Sequence, residues 1–185
     1  MKKRLLLLTG SPGVGKTTIL LKVAEALKTR GYSLGGMISR EARSSGGRVG
    51  FEIVDLGSGE TGLLAHVDQE FGPQVGKYRV NLKDLDDVGV KAIMNAVANC
   101  DIIVIDEIGP MELFSEKFKE AVVKAAESRK LFIGIVHWKA QSRLIEETRG
   151  REDAELYTVT FENRQSLHEV LTARALDFLS KTSGE

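Results

Sequence analysis

Residues 10–18 read Gly10-Ser11-Pro12-Gly13-Val14-Gly15-Lys16-Thr17-Thr18. Glycine has no Cβ, so a chain punctuated at Gly10, Gly13 and Gly15 can turn tightly and bring its amides against an anion. The amides of such a loop, with the start of the helix behind it, favour phosphate, because the helix dipole is positive there. Lys16 has the length to reach β- and γ-phosphates, and the Thr17 hydroxyl is a ligand for Mg²⁺. The apolar run Leu5 to Leu8 precedes the loop, and an apolar pattern of helical period follows it. Strand, glycine-rich loop and helix in that order predict a nucleotide-phosphate site.

A second constellation follows the run Ile102-Ile103-Val104-Ile105, which is β-branched throughout and predicts a strand buried on both faces. Asp106 and Glu107 come next, at the carboxyl end of that strand. A strand ending in Asp suits a Mg²⁺ held by one carboxylate and the nucleotide's own phosphates, so Thr17 and Asp106 are the predicted metal ligands. Glu107, beside that Asp, is placed to accept a proton from an attacking water. A kinase can use the same carboxylate on a substrate hydroxyl, and a nucleotide-dependent switch could use slow hydrolysis to reset itself. Transfer to a nucleoside or other small molecule and a switch function are therefore the alternatives to hydrolysis.

The phosphate loop, Asp106-Glu107-Ile108-Gly109-Pro110-Met111-Glu112-Leu113-Phe114 and Thr160-Phe161-Glu162-Asn163-Arg164 together resemble the thermophile-type nucleoside-triphosphatase family, relatives of the human cancer-related nucleoside triphosphatase. Gly36 to Arg43, Gly47 to Phe51 and Val75-Gly76-Lys77-Tyr78 match as well, so the likeness runs nearly end to end. It implies a three-layer, RecA-like P-loop fold of the class with an extra catalytic glutamate. It implies Mg²⁺-dependent hydrolysis of ATP, GTP and other NTPs (CTP, UTP and deoxynucleotides among them) to the diphosphates. Nucleotide binding is implied for Gly10 to Thr18 and for Ile102, Ile103, Val104, Ile105, Asp106, Glu107, Ile108 and Gly109. Asp106 takes the metal role and Glu107 the water-activating role.

Other residues leave more than one reading. Arginine commonly neutralises charge on the transferred phosphoryl. Arg143, Arg149, Arg151 and Arg164 all follow the later strands. Arg164, inside the matched Glu-Asn-Arg string, is the first candidate and joins Lys16 and Glu107 as a predicted catalytic residue. Helix-start packing is its bland alternative. Arg43 and Arg48 could meet phosphate from the opposite side. His137, ending a buried strand, could sense the γ-phosphate, and Trp138 or Phe114 could stack on a base. No Asn-Lys-x-Asp string occurs, so a guanine-reading device is missing and broad base tolerance is expected. The acidic cluster Asp84, Asp86 and Asp87 reads as a helix-start cluster stabilised by the dipole.

These groups require a particular set of elements. After the loop, Ile19, Leu20, Val23, Ala24 and Leu27 predict a helix that Gly31 ends. Residues 35–39 predict a short strand, 40–47 a loop, and 49–56 with 61–64 an antiparallel hairpin. An exposed connection over 66–76, a strand at 77–80 and a helix over 82–98 follow. The strand at 102–105 leads to a helix capped by Ser115, a strand at 131–136, a short helix at 142–149 and a strand at 156–160. A final helix carries Leu167, Val170, Leu171, Ala175, Phe178 and Leu179. Strands alternating with helices predict an α/β fold, one domain over 1–185, with a mainly parallel sheet, an added antiparallel hairpin and the ligand beyond the strands' carboxyl ends.

Twenty-six Lys and Arg balance twenty-six Asp and Glu, so no global field draws nucleic acid or an anionic membrane. The single Cys100 excludes an internal disulfide and suits a reducing compartment. Met1-Lys2-Lys3-Arg4 before Leu5 to Leu8 mimics a signal peptide, but the apolar stretch is too short and the phosphate loop stands at the cleavage position. A cytoplasmic protein is expected. Its oligomeric state stays open, a monomer being consistent with the sequence.

Overall fold

A computed structural model describes residues 2–182; Met1 and residues 183–185 of the expected domain lie outside the described residues. Its centre is a nine-stranded sheet in the order β5-β6-β4-β3-β2-β7-β8-β1-β9. β1 (Leu5–Thr9), β8 (Leu131–Val136), β7 (Ile102–Ile108), β2 (Leu34–Ser44) and β9 (Ala154–Thr158) run parallel. β3 (Gly47–Asp55), β4 (Thr61–His66), β6 (Tyr78–Val80) and β5 (Gln74–Val75) extend the sheet antiparallel beyond β2. The addition is thus larger than the single hairpin expected.

β1, β8 and the first four residues of β7 read as continuous apolar runs because both of their faces are covered. Leu6 and Leu8 of β1 pack with Ile19, Leu20, Val23 and Leu27 of α1 (Lys16–Lys28) and with Leu171 and Ala175 of α6 (Leu167–Thr182). Leu5 and Leu7, one residue out of phase, face the other way. They join Ile93 of α3 (Lys91–Asn99), Phe118 and Val122 of α4 (Glu116–Glu127) and Ile145 of α5 (Arg143–Arg149). The sheet lies between two helical layers, as expected. Ser115 and Ser142 cap α4 and α5, their hydroxyls accepting from the amides of Phe118 (3.0 Å) and Ile145 (3.2 Å).

Three expectations about elements are corrected. Residues 40–47 are not a loop: β2 and β3 continue through them as a ribbon closed by Ser45 and Gly46, with φ 49° and 80°. Positive φ at both central residues is what a two-residue hairpin matching strand twist requires. The ribbon's polar side chains meet across the strands, Arg40 with Glu52 at 2.6 Å and Arg48 with Glu41 at 2.8 Å. The helix expected over 82–98 is composite: α2 (Leu82–Asp84), a π-helical stretch Leu85–Val90, and α3. β9 begins and ends two residues before the 156–160 expected. As an edge strand it tolerates the polar Glu155.

The acidic trio is structural: Asp84 accepts from the Leu63 amide (2.8 Å), Asp86 from the Ser115 hydroxyl (2.5 Å) and Asp87 from Lys83 (2.7 Å). Among the described residues no helix is long and apolar enough to cross a membrane.

The start of β1 is tied to β9 by a buried ion cluster. The Arg4 guanidinium meets Asp153 at 2.8 Å, and Arg151 Nε donates to Asp153 Oδ1 at 2.9 Å. Burial pushes the Asp153 carboxyl up, but the Arg151 hydrogen bond and the Arg4 charge outweigh it and hold the group below the usual range. Such a depressed carboxylate contributes stability that is present above the unfolded value, about pH 4, and is lost as pH falls through the folded value. Asp153→Ala strands the Arg4 charge and is expected to cost about 3 kcal/mol at pH 7. Urea unfolding at pH 7 and pH 3 checks it, the variant's deficit shrinking at the lower pH.

Candidate active site

The phosphate loop joins β1 to α1 at the carboxyl edge of the sheet. Gly10 holds φ 150°, and a Cβ there would lie 2.7 Å from the Val159 carbonyl, so no other residue fits the close passage of the two segments. Val14 anchors the loop in the core with Ile19 and Leu20. Lys16 Nζ donates to the carbonyls of Gly10 (2.8 Å) and Ser11 (2.9 Å), which lays its charge across its own loop. The Thr17 hydroxyl donates to Asp106 Oδ2 at 2.6 Å. Although β8 intervenes between β1 and β7, the two predicted metal ligands are in direct contact.

A cleft of about 610 Å³ opens from this contact. Gly13, Lys16, Thr17, Asp106, Glu107 and His137 line its phosphate-loop side, and Glu112 lies beside them. Asp106 is only 3% exposed, and burial pushes its carboxyl up to about 6 against the Thr17 hydrogen bond and the Lys16 charge. Burial first, and the neighbouring Asp106 second, push Glu107 up to about 7. Burial and the Glu107 charge push Glu112 up to about 8. Glu107 and Glu112 both approach Gly109: a Cβ there would lie 2.7 Å from Glu107 Oε1 and 3.2 Å from Glu112 Oε2. Three acidic side chains thus share one end of the cleft, and burial favours their neutral forms; among the described residues no group of three or more His, Cys, Asp or Glu is arranged to hold a metal ion.

His137 directly follows β8 at the cleft. Its Nδ1 accepts the amides of Ala140 (2.9 Å) and Lys139 (3.3 Å), which puts the proton of the neutral ring on Nε2. Burial, with Lys16 and Arg149 nearby, lowers its pKa and keeps it neutral.

The other sequence candidates are spread more widely. Of residues 102–109 only Asp106 and Glu107 line the cleft. Ile102, Ile103, Val104, Ile105 and Ile108 are wholly buried, so their service to a nucleotide is to hold the acids in place. Arg164 is not among the lining residues; its guanidinium lies over the Phe161 ring, 5.0 Å from the centroid. Arg143 pairs with Glu147 at 2.7 Å, and Arg43 and Arg48 are both engaged by Glu41. Arg149 bridges the ends of β1 and β8, donating to the His137 carbonyl (3.0 Å) and the Thr9 hydroxyl (3.4 Å), with its Nε buried and unbonded. Trp138 is covered by its neighbour Lys139, whose Nζ is 4.3 Å from the ring centroid.

The opposite wall of the cleft was not foreseen. Ser39 and Arg40 of β2, Phe51 of β3, Leu64 of β4, Val75 of β5 and Met111 form it.

A parallel sheet bearing a phosphate loop, with an Asp-Glu pair at the end of a strand two places away, defines a nucleotide-binding protein of the P-loop class. A family model described as NTPase matches residues 5–172, and the chain belongs to that nucleoside-triphosphatase family. It is 48% identical to the nucleoside-triphosphatase THEP1 of Thermofilum pendens, over 87% of this chain and 89% of that one. It is 47% identical to the nucleoside-triphosphatase THEP1 of Methanosarcina acetivorans, over 91% and 94% of the two chains. The crystal structure of THEP1 from Aquifex aeolicus superposes with a TM-score of 0.82 at 29% identity, covering 91% of this chain and 97% of that one. The solution structure of a human cancer-related nucleoside triphosphatase gives 0.78 at 36%, covering 92% and 96%.

Proposed function

We propose that this protein, as one cytoplasmic domain, hydrolyses the terminal phosphoanhydride of nucleoside triphosphates with Mg²⁺, accepting ATP, GTP, CTP, UTP and deoxynucleotides. The observation that carries it is the Glu107 carboxyl beside Asp106 in the cleft that Lys16 and Thr17 also line. The loop amides and Lys16 bind the phosphates. The hard oxygens of Thr17 and Asp106 suit Mg²⁺, and the buried Asp106 carboxyl has Thr17 as its side-chain partner. Bound there with the phosphates, the ion would neutralise their charge. Glu107 takes a proton from water as its oxygen bonds to the γ-phosphorus, and the bond from that phosphorus to the β–γ bridging oxygen breaks, releasing the diphosphate. Neither Arg149 nor Arg164 lines the cleft: Arg149 spans the strand ends beside His137, and Arg164 leans on the phosphate loop at Gly15, so either could turn in to offset charge on the phosphoryl. All of these groups come from one chain, so a monomer suffices.

The apolar wall of Phe51, Leu64, Val75 and Met111 favours one other reading, transfer to a hydroxyl of a small molecule. Phosphate release from each NTP and dNTP, with Mg²⁺ and no other acceptor, decides between them. Release from all of them, abolished by a chelator, is expected. Release that requires an added acceptor establishes the transferase instead.

A further inference from the structure

The chain carries an aromatic–guanidinium pair that hydrolysis leaves without a task. Phe161 is 65% exposed and stands in the connector between β9 and α6. Exposing so much of an aromatic ring to water is unfavourable, yet this one is held in place. The Arg164 guanidinium covers it at 5.0 Å, and Arg164 Cδ lies 3.9 Å from where a Cβ of Gly15 would be. The pair therefore leans against the phosphate loop itself, at the start of α1.

Strand order decides which part of a nucleotide would reach it. The loop emerges from β1, between β8 and β9, and the Asp106–Glu107 pair lies on the β8 side, at the end of β7. A terminal phosphoryl must lie near Glu107 to be cleaved, so the chain of phosphates runs away from β7. The nucleoside end then emerges toward β9, over the connector that holds Phe161 and Arg164.

Two polar side chains of this connector, Thr160 and Asn163, are already engaged. Asn163 Oδ1 accepts from the Thr160 amide (2.9 Å) and its Nδ2 donates to the Thr158 carbonyl (2.9 Å). The Asn163 amide donates to the Thr160 hydroxyl (3.3 Å), and the Arg164 amide to the Thr160 carbonyl (3.1 Å). This network stiffens the connector and turns the Asn163 side chain inward, while the Phe161 ring and the Arg164 guanidinium stay exposed beside the loop.

We infer that Phe161 and Arg164 form a stacking platform for the nucleobase, gripping it by its π-face and leaving its hydrogen-bonding edge unread. Every base has such a face, so the platform adds affinity without choosing among bases. Arg164 is then a binding residue, distinct from the groups at the reacting phosphoryl. The inference rests on the nucleotide-hydrolase reading above.

The test is equilibrium binding of ATP, GTP, CTP, UTP and inorganic tripolyphosphate, with Mg²⁺, to wild type and Phe161→Ala. Loss of one stacked base is expected to weaken all four nucleotides by about tenfold and by similar factors. Tripolyphosphate, which has no base, is expected to bind both proteins alike. Phe161→Trp in a Trp138→Phe background supplies an optical readout, its emission changing with each nucleotide and not with tripolyphosphate. Unchanged nucleotide affinity in Phe161→Ala, or an equal loss for tripolyphosphate, overturns the platform. A wild type that binds none of the four nucleotides overturns the hydrolase reading on which it rests.

Discussion

Glu107→Gln is expected to lower phosphate release by about 10²- to 10⁴-fold while leaving ATP affinity within about threefold of wild type. The substitution keeps size and shape and removes the one property the mechanism needs, a lone pair basic enough to take a proton from water. Burial and Asp106 push Glu107 up to about 7, so it is a far better proton acceptor near neutrality than an exposed glutamate. In the proposed mechanism its neighbours do other work: Lys16 and the loop bind phosphate, and Thr17 with Asp106 suits the cation. Single-turnover hydrolysis beside equilibrium ATP binding separates the two roles. Turnover near the wild-type rate removes Glu107 from the chemistry, and a parallel loss of ATP binding makes it a structural acid.

The second large effect is on stability. Gly36 in β2 has φ 121°, and a Cβ added there would lie 2.0 Å from the Val104 carbonyl oxygen in β7. No real contact is that short, and the obstacle is backbone on a central strand, not a side chain that could swing away. Gly36→Ala must therefore part β2 from β7 just before Asp106, and it is expected to cost more than about 3 kcal/mol. Chemical denaturation measures this directly. A variant within about 1 kcal/mol of wild type would mean that β2 relaxes locally.

The two halves of the chain differed in how well they could be read. The phosphate loop was legible because its chemistry is local: nine consecutive residues must supply amides, a cation and a hydroxyl, and few residue types can. The central strands were legible because a strand buried on both faces becomes an unbroken apolar run, as in Ile102 to Ile105. The ribbon over 40–47 was not, since its charges are paired across strands and look, one strand at a time, like a solvated loop. Arg40 has meaning only opposite Glu52, and Glu41 only between Arg43 and Arg48. The cleft wall was hidden for a similar reason: Phe51, Leu64, Val75 and Met111 come from separate elements, and only the sheet order brings them to one surface. The arginines showed a further limit. All four follow the right strands, but side-chain direction, which spacing does not reveal, separates Arg149 at the strand ends from Arg164 over Phe161.

The wall that Phe51, Leu64 and Val75 raise beside the phosphate loop belongs to the same hydrogen-bonded sheet as the strand bearing Asp106. The ladder of this sheet is interrupted at Phe51/Glu52 and between Ile105 and Ile108, so it can shear a little at these points while the strands stay joined. In the proposed reaction, shutting out bulk solvent then falls to small parts. These are the Lys16 ammonium leaving its own carbonyls, the short connector through Pro110 and Met111, and the incoming nucleotide acting as its own plug.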